Sequence, residues 1–105
     1  MQFQLNTDAH ITGDDRLHSL AEDVVTTALG HLTERLTRIE VHLADENAHK
    51  GGADDIRCTL EARPEGLKPH TVVHHDADIT AALRGGAKKL HALLESEFGR
   101  LDKRR

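Results

Sequence analysis

The sequence predicts an α+β fold: a four-stranded mixed sheet with two helices packed on one face, in the order β-α-β-β-β-α. Three segments, "QFQLN", "RIEVHLADEN" and "IRCTLEAR", alternate polar and apolar residues, as half-buried strands do. Two longer segments repeat apolar residues every three or four positions, which is typical of amphipathic helices. One sheet layer with both helices on the same side buries every apolar stripe.

The first half of the chain predicts a strand, a helix and a second, parallel strand. Phe3 and Leu5 share one face of the first strand. Asp14 or Asp15 can cap the helix, and Thr12 with Asp15 has the loose spacing of a capping box. This helix is expected to end near residues 35–37. Its predicted apolar stripe is Leu17, Leu20, Ala21, Val24, Ala28 and Leu32. Its exposed face is predicted to carry no Lys or Arg and to comprise Glu22, Asp23, Thr26, Thr33 and Glu34.

The second half predicts two antiparallel connections and a final helix. A glycine-containing loop, "AHKGGADD", precedes the third strand, and Pro64 with Gly66 marks the next turn. "HTVVHHD" is a short fourth strand, and Asp78 is a good N-cap for the last helix. The sheet face away from the helices is predicted to show Gln2, Gln4, Glu40, His42, Arg57, Thr59, Glu61 and Arg63.

Two adjacent glycines interrupt the last helix, "DITAALRGGAKKLHALL". A glycine inside a helix costs about 1 kcal/mol relative to alanine. Gly86 falls at the centre of the apolar stripe that includes Leu83 and Leu90, whereas Gly85 lies to one side. We therefore expect a close approach at Gly86, where the helix presses against the sheet or the first helix.

The length of 105 residues suits one domain, placed at residues 1–98, followed by a frayed basic tail at 99–105. The only aromatic side chains are Phe3 and Phe98, which disfavours binding modes that stack nucleic-acid bases. Cys58 is the only cysteine and is predicted to face the core, so an internal disulfide is excluded. Without a signal peptide or an apolar run of about 18 residues, we expect a soluble, cytoplasmic protein with no membrane partner.

The charge is distributed unevenly along the chain. The formal net charge is −4, but residues 84–105 carry +4 and residues 1–83 carry −8. The basic residues of the last segment are Arg84, Lys88, Lys89, Arg100, Lys103, Arg104 and Arg105. We interpret them as a phosphate-binding surface. The alternative, that they complement the helix dipole, explains residues 100–105 better than it explains Arg84, Lys88 and Lys89.

Neither a cofactor nor a catalytic centre is expected. Of nine histidines, His74 and His75 are predicted to point to opposite sheet faces, whereas His42 could meet His70 or His74 on the open one. No HxxxH or Cys/His framework supports a metal site. The P-loop spacing and the Ser/His/Asp elbow are both missing, so we do not expect an enzyme.

The stretch "DITAALRGGAKKL", with "RIEVHL" and the element order, resembles the ribosome hibernation-promoting factor and ribosome-associated inhibitor family, also called the sigma-54 modulation family. The resemblance covers nearly the whole chain. The positions that match the family signature are Asp78, Ala81, Ala82, Leu83, Gly85, Lys89 and Leu90. Thr80 and Arg84 depart from it, because the family usually has Tyr and Asp there.

The resemblance implies a translation inhibitor that binds the small ribosomal subunit under stress or in stationary phase. It implies contacts between basic helix residues and rRNA phosphates, and occlusion of mRNA and tRNA sites. We expect a monomer that binds no DNA. Two alternatives stay open: a stress-related protein–protein adaptor that kept the fold and lost ribosome binding, and a domain that binds double-stranded RNA by its shape.

Overall fold

A computed structural model of the chain describes residues 1–47 and 55–103, and it confirms the predicted fold class and element order. The strands are β1 (Gln2–Thr7), β2 (Leu36–Asp45), β3 (Ile56–Pro64) and β4 (His70–Asp76). The helices are α1 (Asp15–Leu29) and α2 (Ile79–Lys103). A 3₁₀ segment (Gly30–Arg35) joins α1 to β2. Most of the predicted loop "AHKGGADD", residues 48–54, lies outside the described residues.

The four strands lie in the sheet in their sequence order, β1-β2-β3-β4. β1 pairs with β2 in parallel, and the two following pairs are antiparallel, as predicted. The register places Leu5 opposite Val41, Val41 opposite Leu60, and Leu60 opposite Val72. These side chains share one face because strand side chains alternate with a period of two. β1 and β4 are the edge strands.

Both helices cover the apolar face of the sheet, and the hydrophobic core lies between the two layers. Ile39, Val41, Cys58 and Leu60 of the central strands are fully buried beneath the helices. Burial of each large aliphatic side chain contributes about 1.5–3 kcal/mol. The opposite face, called the open face below, carries the eight polar residues that the alternation predicted, and none of them is buried.

Helix α1 differs from its prediction in rotation and in length. Asp14 is the N-cap, and its Oδ1 accepts a hydrogen bond of 2.9 Å from the Leu17 backbone N–H. The residues of α1 that are buried are Leu17, Ala21, Val25 and Leu29. Leu20 is 37% exposed and Ala28 is exposed, so the prediction that both face the core is wrong. Because Gly30 has φ +56°, the α-helix ends there, earlier than predicted.

Helix α2 begins as predicted, because Asp78 Oδ1 accepts a hydrogen bond of 2.8 Å from the Ala81 backbone N–H. The prediction of a frayed tail is wrong for residues 99–103, where the helix continues. This last turn is held by Arg35, whose guanidinium lies 3.9 Å from the Phe98 ring centroid and 3.3 Å from the Asp102 carboxylate. Among the described residues, neither helix has the length and apolarity needed to cross a bilayer.

The buried thiol offers a check on the register of β3. Burial raises the pKa of Cys58 to about 12, so the reactive thiolate is scarce at neutral pH. We expect a thiol reagent at pH 8 to label the native chain about a hundredfold or more slowly than the chain unfolded in denaturant. Stopped-flow or mass-spectrometric labelling measures both rates. Equal rates would show that Cys58 faces solvent and that the alternation along β3 is shifted by one residue.

Candidate functional site

The last helix lies close to the sheet at two adjacent glycines. A Cβ added to Gly86 would lie 3.2 Å from Cys58 Sγ and 3.2 Å from Leu60 Cδ1, which is tighter than ordinary contact. This confirms the expected close approach and identifies β3 as the surface that the helix meets. A Cβ on Gly85 would lie 2.1 Å from Nε2 of His74, so the imidazole ring of β4 occupies the space that a side chain would need.

The histidine beside Gly85 is itself held in place. His74 Nε2 lies 3.2 Å from Asp76 Oδ2, two residues along β4. The Ala77 backbone N–H, which donates to Asp76 Oδ1 at 2.8 Å, and then His74 lower the pKa of the Asp76 carboxyl. Asp76 thus stays ionised and keeps an acceptor next to the ring. The line of contact between α2 and β4, called the seam below, is therefore polar where Gly85 meets His74 and Asp76.

Lys89 lies on the same seam, one turn after Gly85. Its Nζ donates a hydrogen bond of 3.0 Å to the backbone carbonyl of Val73, at the middle of β4. The side chain is exposed, so the ammonium remains in contact with solvent. Because an ammonium has three N–H groups, one bond to Val73 leaves two donors for other acceptors. Nothing in the residue pattern indicates that Lys89 reaches the sheet edge.

The structure divides the predicted phosphate-binding residues into separate groups. Arg84 and Lys88 are exposed, stand one helical turn apart, and make no ion pair with described residues. Arg100 is exposed but paired with Glu97, and Lys103 is exposed at the end of α2. Arg84 and Lys103 are separated by about 28 Å along the helix axis, so the helix displays a row of cations rather than one cluster. Arg104 and Arg105 lie outside the described residues.

The arginines of the open face contrast with Arg84 of α2, because each of them has an anionic partner. Arg38 lies 2.6 Å from Glu40, and Arg63 lies 3.0 Å from Glu61. Arg57 lies 3.6 Å from Glu46, which also contacts His75. These pairs neutralise the open face. The unpaired cations Arg84 and Lys88 therefore indicate that α2 is the surface that could attract phosphate.

Helix α1 carries one exposed cation that was not among the predicted site residues. Arg16 is exposed in the first turn of α1 and makes no ion pair with described residues. The expectation that the exposed face of the first helix lacks Lys and Arg is therefore wrong. The signal was present in the sequence, since position 16 lies one residue before Leu17, which begins the buried stripe. A helical step of 100° takes Arg16 away from the core.

Helices α1 and α2 enclose a shallow groove on this same side. Its lining comprises Asp23, Val24, Thr27, Ala28 and Arg84. The floor is mostly apolar, with a carboxylate on the α1 side and a guanidinium on the α2 side. Leu20, one turn from Val24, adds an exposed apolar side chain. Thus α1 presents a partly apolar surface, with Glu22 and Asp23 exposed, next to the cations of α2.

The histidines do not assemble into a metal centre. His74 and His75 point to opposite faces, as predicted, but His70 and His74 lie on the helix-covered face. The suggested meeting of His42 with either of them on the open face is therefore wrong. His42 instead contacts Asn6 at 3.2 Å. Across residues 1–47 and 55–103, no group of three or more His, Cys, Asp or Glu side chains could hold a metal ion.

Comparison with solved structures identifies the architecture. A ribosomal subunit interface protein from Coxiella burnetii superposes with a TM-score of 0.77 at 11% sequence identity, covering 94% of this chain and 99% of that one. The N-terminal domain of Thermus thermophilus Protein Y superposes with a TM-score of 0.72 at 17% identity, covering 91% and 98%. The chain has the fold of a ribosomal subunit interface protein.

The chain shares this fold with proteins to which it has little sequence similarity. No protein-family model and no curated protein matches the chain. The resemblance inferred from "DITAALRGGAKKL" is therefore confirmed as a structural one. Both superpositions span nearly the full length of either chain, so the interface-protein fold includes both helices and the whole sheet.

Two glycine substitutions in α2 test the contact between Gly85 and His74. Gly99→Ala adds a Cβ that meets no atom within 4 Å, so it should raise the free energy of unfolding by about 0.5–1 kcal/mol through helix propensity. Gly85→Ala should give no such gain, because the His74 ring must move and lose its contact with Asp76. Urea unfolding of both variants measures the difference. An equal gain in both, with the Asp76 pKa unchanged by NMR, would contradict this packing.

Proposed function

We propose that this protein is a ribosome-associated translation inhibitor that binds the small ribosomal subunit under stress or in stationary phase. It places α2 against rRNA phosphates in the cytoplasm. The observation that supports this most strongly is the fold, which it shares with a ribosomal subunit interface protein over 94% of its length. The unpaired cations of α2 provide the chemistry that such a contact requires.

The electrostatics of α2 suit a phosphate surface. Arg84 and Lys88 are exposed and form no ion pair with the described residues, although Asp23 lines the same groove as Arg84. An arginine fork can bind a phosphate through two parallel N–H bonds, whereas a lysine acts as a point charge. Lys89, with two donors free, can add a third contact from the sheet edge. We expect this binding to be sensitive to salt and tolerant of RNA sequence.

The acidic remainder of the chain helps to orient the protein. Residues 1–83 carry −8 while residues 84–105 carry +4, so the chain is repelled from RNA unless α2 approaches first. The neutralised open face gives little attraction. Arg16 on α1 offers one further cation on the helical side.

The proposed mechanism is occlusion rather than chemistry. A bound domain excludes mRNA and tRNA from the space that it fills, and it needs no reacting group to do so. The rate of dissociation then sets how long a subunit stays silent. Stable packing of α2 on the sheet serves this role, because a helix that is already folded presents its cations without a backbone ordering cost at binding.

A second candidate, a protein–protein adaptor, is favoured by one observation. The exposed Leu20 and the apolar groove beside it are unusual on a surface that contacts only phosphate. Replacing Leu20 with Lys should strengthen ribosome binding if that surface faces RNA. It should abolish capture of a protein partner, identified in a pulldown that recovers no rRNA, if the adaptor hypothesis is correct.

Charge removal on α2 tests the proposed function. Arg84→Ala and Lys88→Ala should each weaken co-sedimentation with purified vacant small subunits and reduce the slope of log affinity against log salt by about 1. The loss follows from one fewer phosphate contact in each variant. Sucrose-gradient sedimentation at several salt concentrations measures both quantities.

Arg63→Ala is the matched control, since it removes a cation that already pairs with Glu61 on the open face. It should leave the affinity and the salt slope unchanged. The proposal fails if the wild-type protein stays at the top of the gradient at low salt. It fails equally if Arg63→Ala weakens binding as much as Lys88→Ala does.

A further inference from the structure

Strand β4 leaves one edge of the sheet without a partner strand. It spans His70–Asp76, is the last strand in the sheet order, and pairs with β3 alone among residues 1–47 and 55–103. Its middle residue, Val73, is on the open face and is 44% exposed. An unprotected edge strand with an exposed apolar residue pairs readily with another strand, and proteins usually block such edges. The strand itself contains no lysine, arginine or proline that could block it.

The blocking charge comes from α2 instead. Lys89 reaches over the edge, and its Nζ donates to the backbone carbonyl of Val73 at 3.0 Å. This bond satisfies an acceptor in the middle of the strand and places a positive charge beside it. Lysine at an edge is a common defence against strand pairing, because burial of its ammonium is costly.

The sequence of β4 is complementary to itself about Val73. If two copies pair in antiparallel fashion with Val73 on the two-fold axis, Val73 faces Val73 of the second copy. The same register sets Thr71 opposite His75 and His70 opposite Asp76. A valine pair and a histidine–aspartate pair are both favourable across antiparallel strands, and this register opposes no like charges within the strand.

We propose that the β4 edge is a docking surface for a second copy of this chain, and that Lys89 blocks the pairing of the two strands. In such a dimer the two sheets join into one, and both α2 helices lie on the same face near the two-fold axis. The two Lys89 ammonium groups then approach each other and compete for the Val73 carbonyls. Lys89 thus keeps the wild-type chain monomeric, and its loss exposes the edge. This inference is independent of ribosome binding.

Removal of the lysine charge tests the proposal. Lys89→Met keeps the aliphatic stem but removes the ammonium. Lys88→Met removes the same charge from the adjacent position, which is exposed and makes no hydrogen bond to β4. In sedimentation velocity over a concentration series, Lys89→Met should dimerise at least about tenfold more tightly than wild type. Lys88→Met should sediment as wild type does. If circular dichroism shows that Lys89→Met is misfolded, Lys89→Ala replaces it, and the same increase in dimer affinity is expected.

A cysteine on the proposed axis tests the register. In the Lys89→Met background, Val73→Cys should oxidise to an intermolecular disulfide, because position 73 faces itself. Thr71→Cys should not, because position 71 faces His75; the native Cys58 is fully buried and does not interfere. The proposal is overturned if Lys89→Met stays monomeric, if Lys88→Met dimerises equally, or if Thr71→Cys crosslinks as fast as Val73→Cys.

Discussion

The close contact of α2 with β3 at Gly86 is the constraint on which the rest of the structure depends. With no side chain between the helix and the strand, Leu83 and Leu90 on either side of Gly86 enter the core fully. The same approach brings Gly85 against His74 and Lys89 within reach of Val73. A larger residue at position 86 would lift the helix from the sheet and move every cation on its outer side. The glycines therefore connect the packing of the domain to the geometry of its charged surface.

Much of the fold could be predicted because the strands follow a strict period of two. Ile56 and Cys58 could face the core only together, and Asp78 could cap only the helix that follows it. The rotation of α1 could not be predicted in the same way. Leu20 and Val24 are as apolar as Val25 and Leu29, so several rotations bury similar apolar area, and contact with α2 selects one of them. Similarly, the last turn of α2, which ends at Lys103, is held by contacts with Arg35. That residue is distant in sequence from Phe98, the aromatic ring that it covers.

The charged surface could be predicted only in part, because a sequence shows charges but not their partners. Arg84 and Arg63 are indistinguishable as charges in the sequence. In the structure, Arg84 makes no ion pair with the described residues, whereas Arg63 contacts Glu61 at 3.0 Å. Lys89 donates a hydrogen bond to the edge of the sheet, and the position of β4 in the sheet determines that the acceptor is the Val73 carbonyl. The division into an open face whose arginines are paired and a helix α2 with unpaired cations follows from these pairings. It also explains how a chain with net charge −4 can present a surface that attracts phosphate.

The most direct test of this account is to determine which face of the protein lies against rRNA. A hydroxyl-radical probe can be tethered through Ala92→Cys, one turn after Lys88 on the exposed side of α2, or through His42→Cys on the open face. Both positions are exposed, and neither substitution removes a cation of α2. With small subunits bound, the probe at position 92 should cleave rRNA strongly and the probe at position 42 weakly. Stronger cleavage from position 42 would contradict the account, since it would place the neutral sheet face against the ribosome.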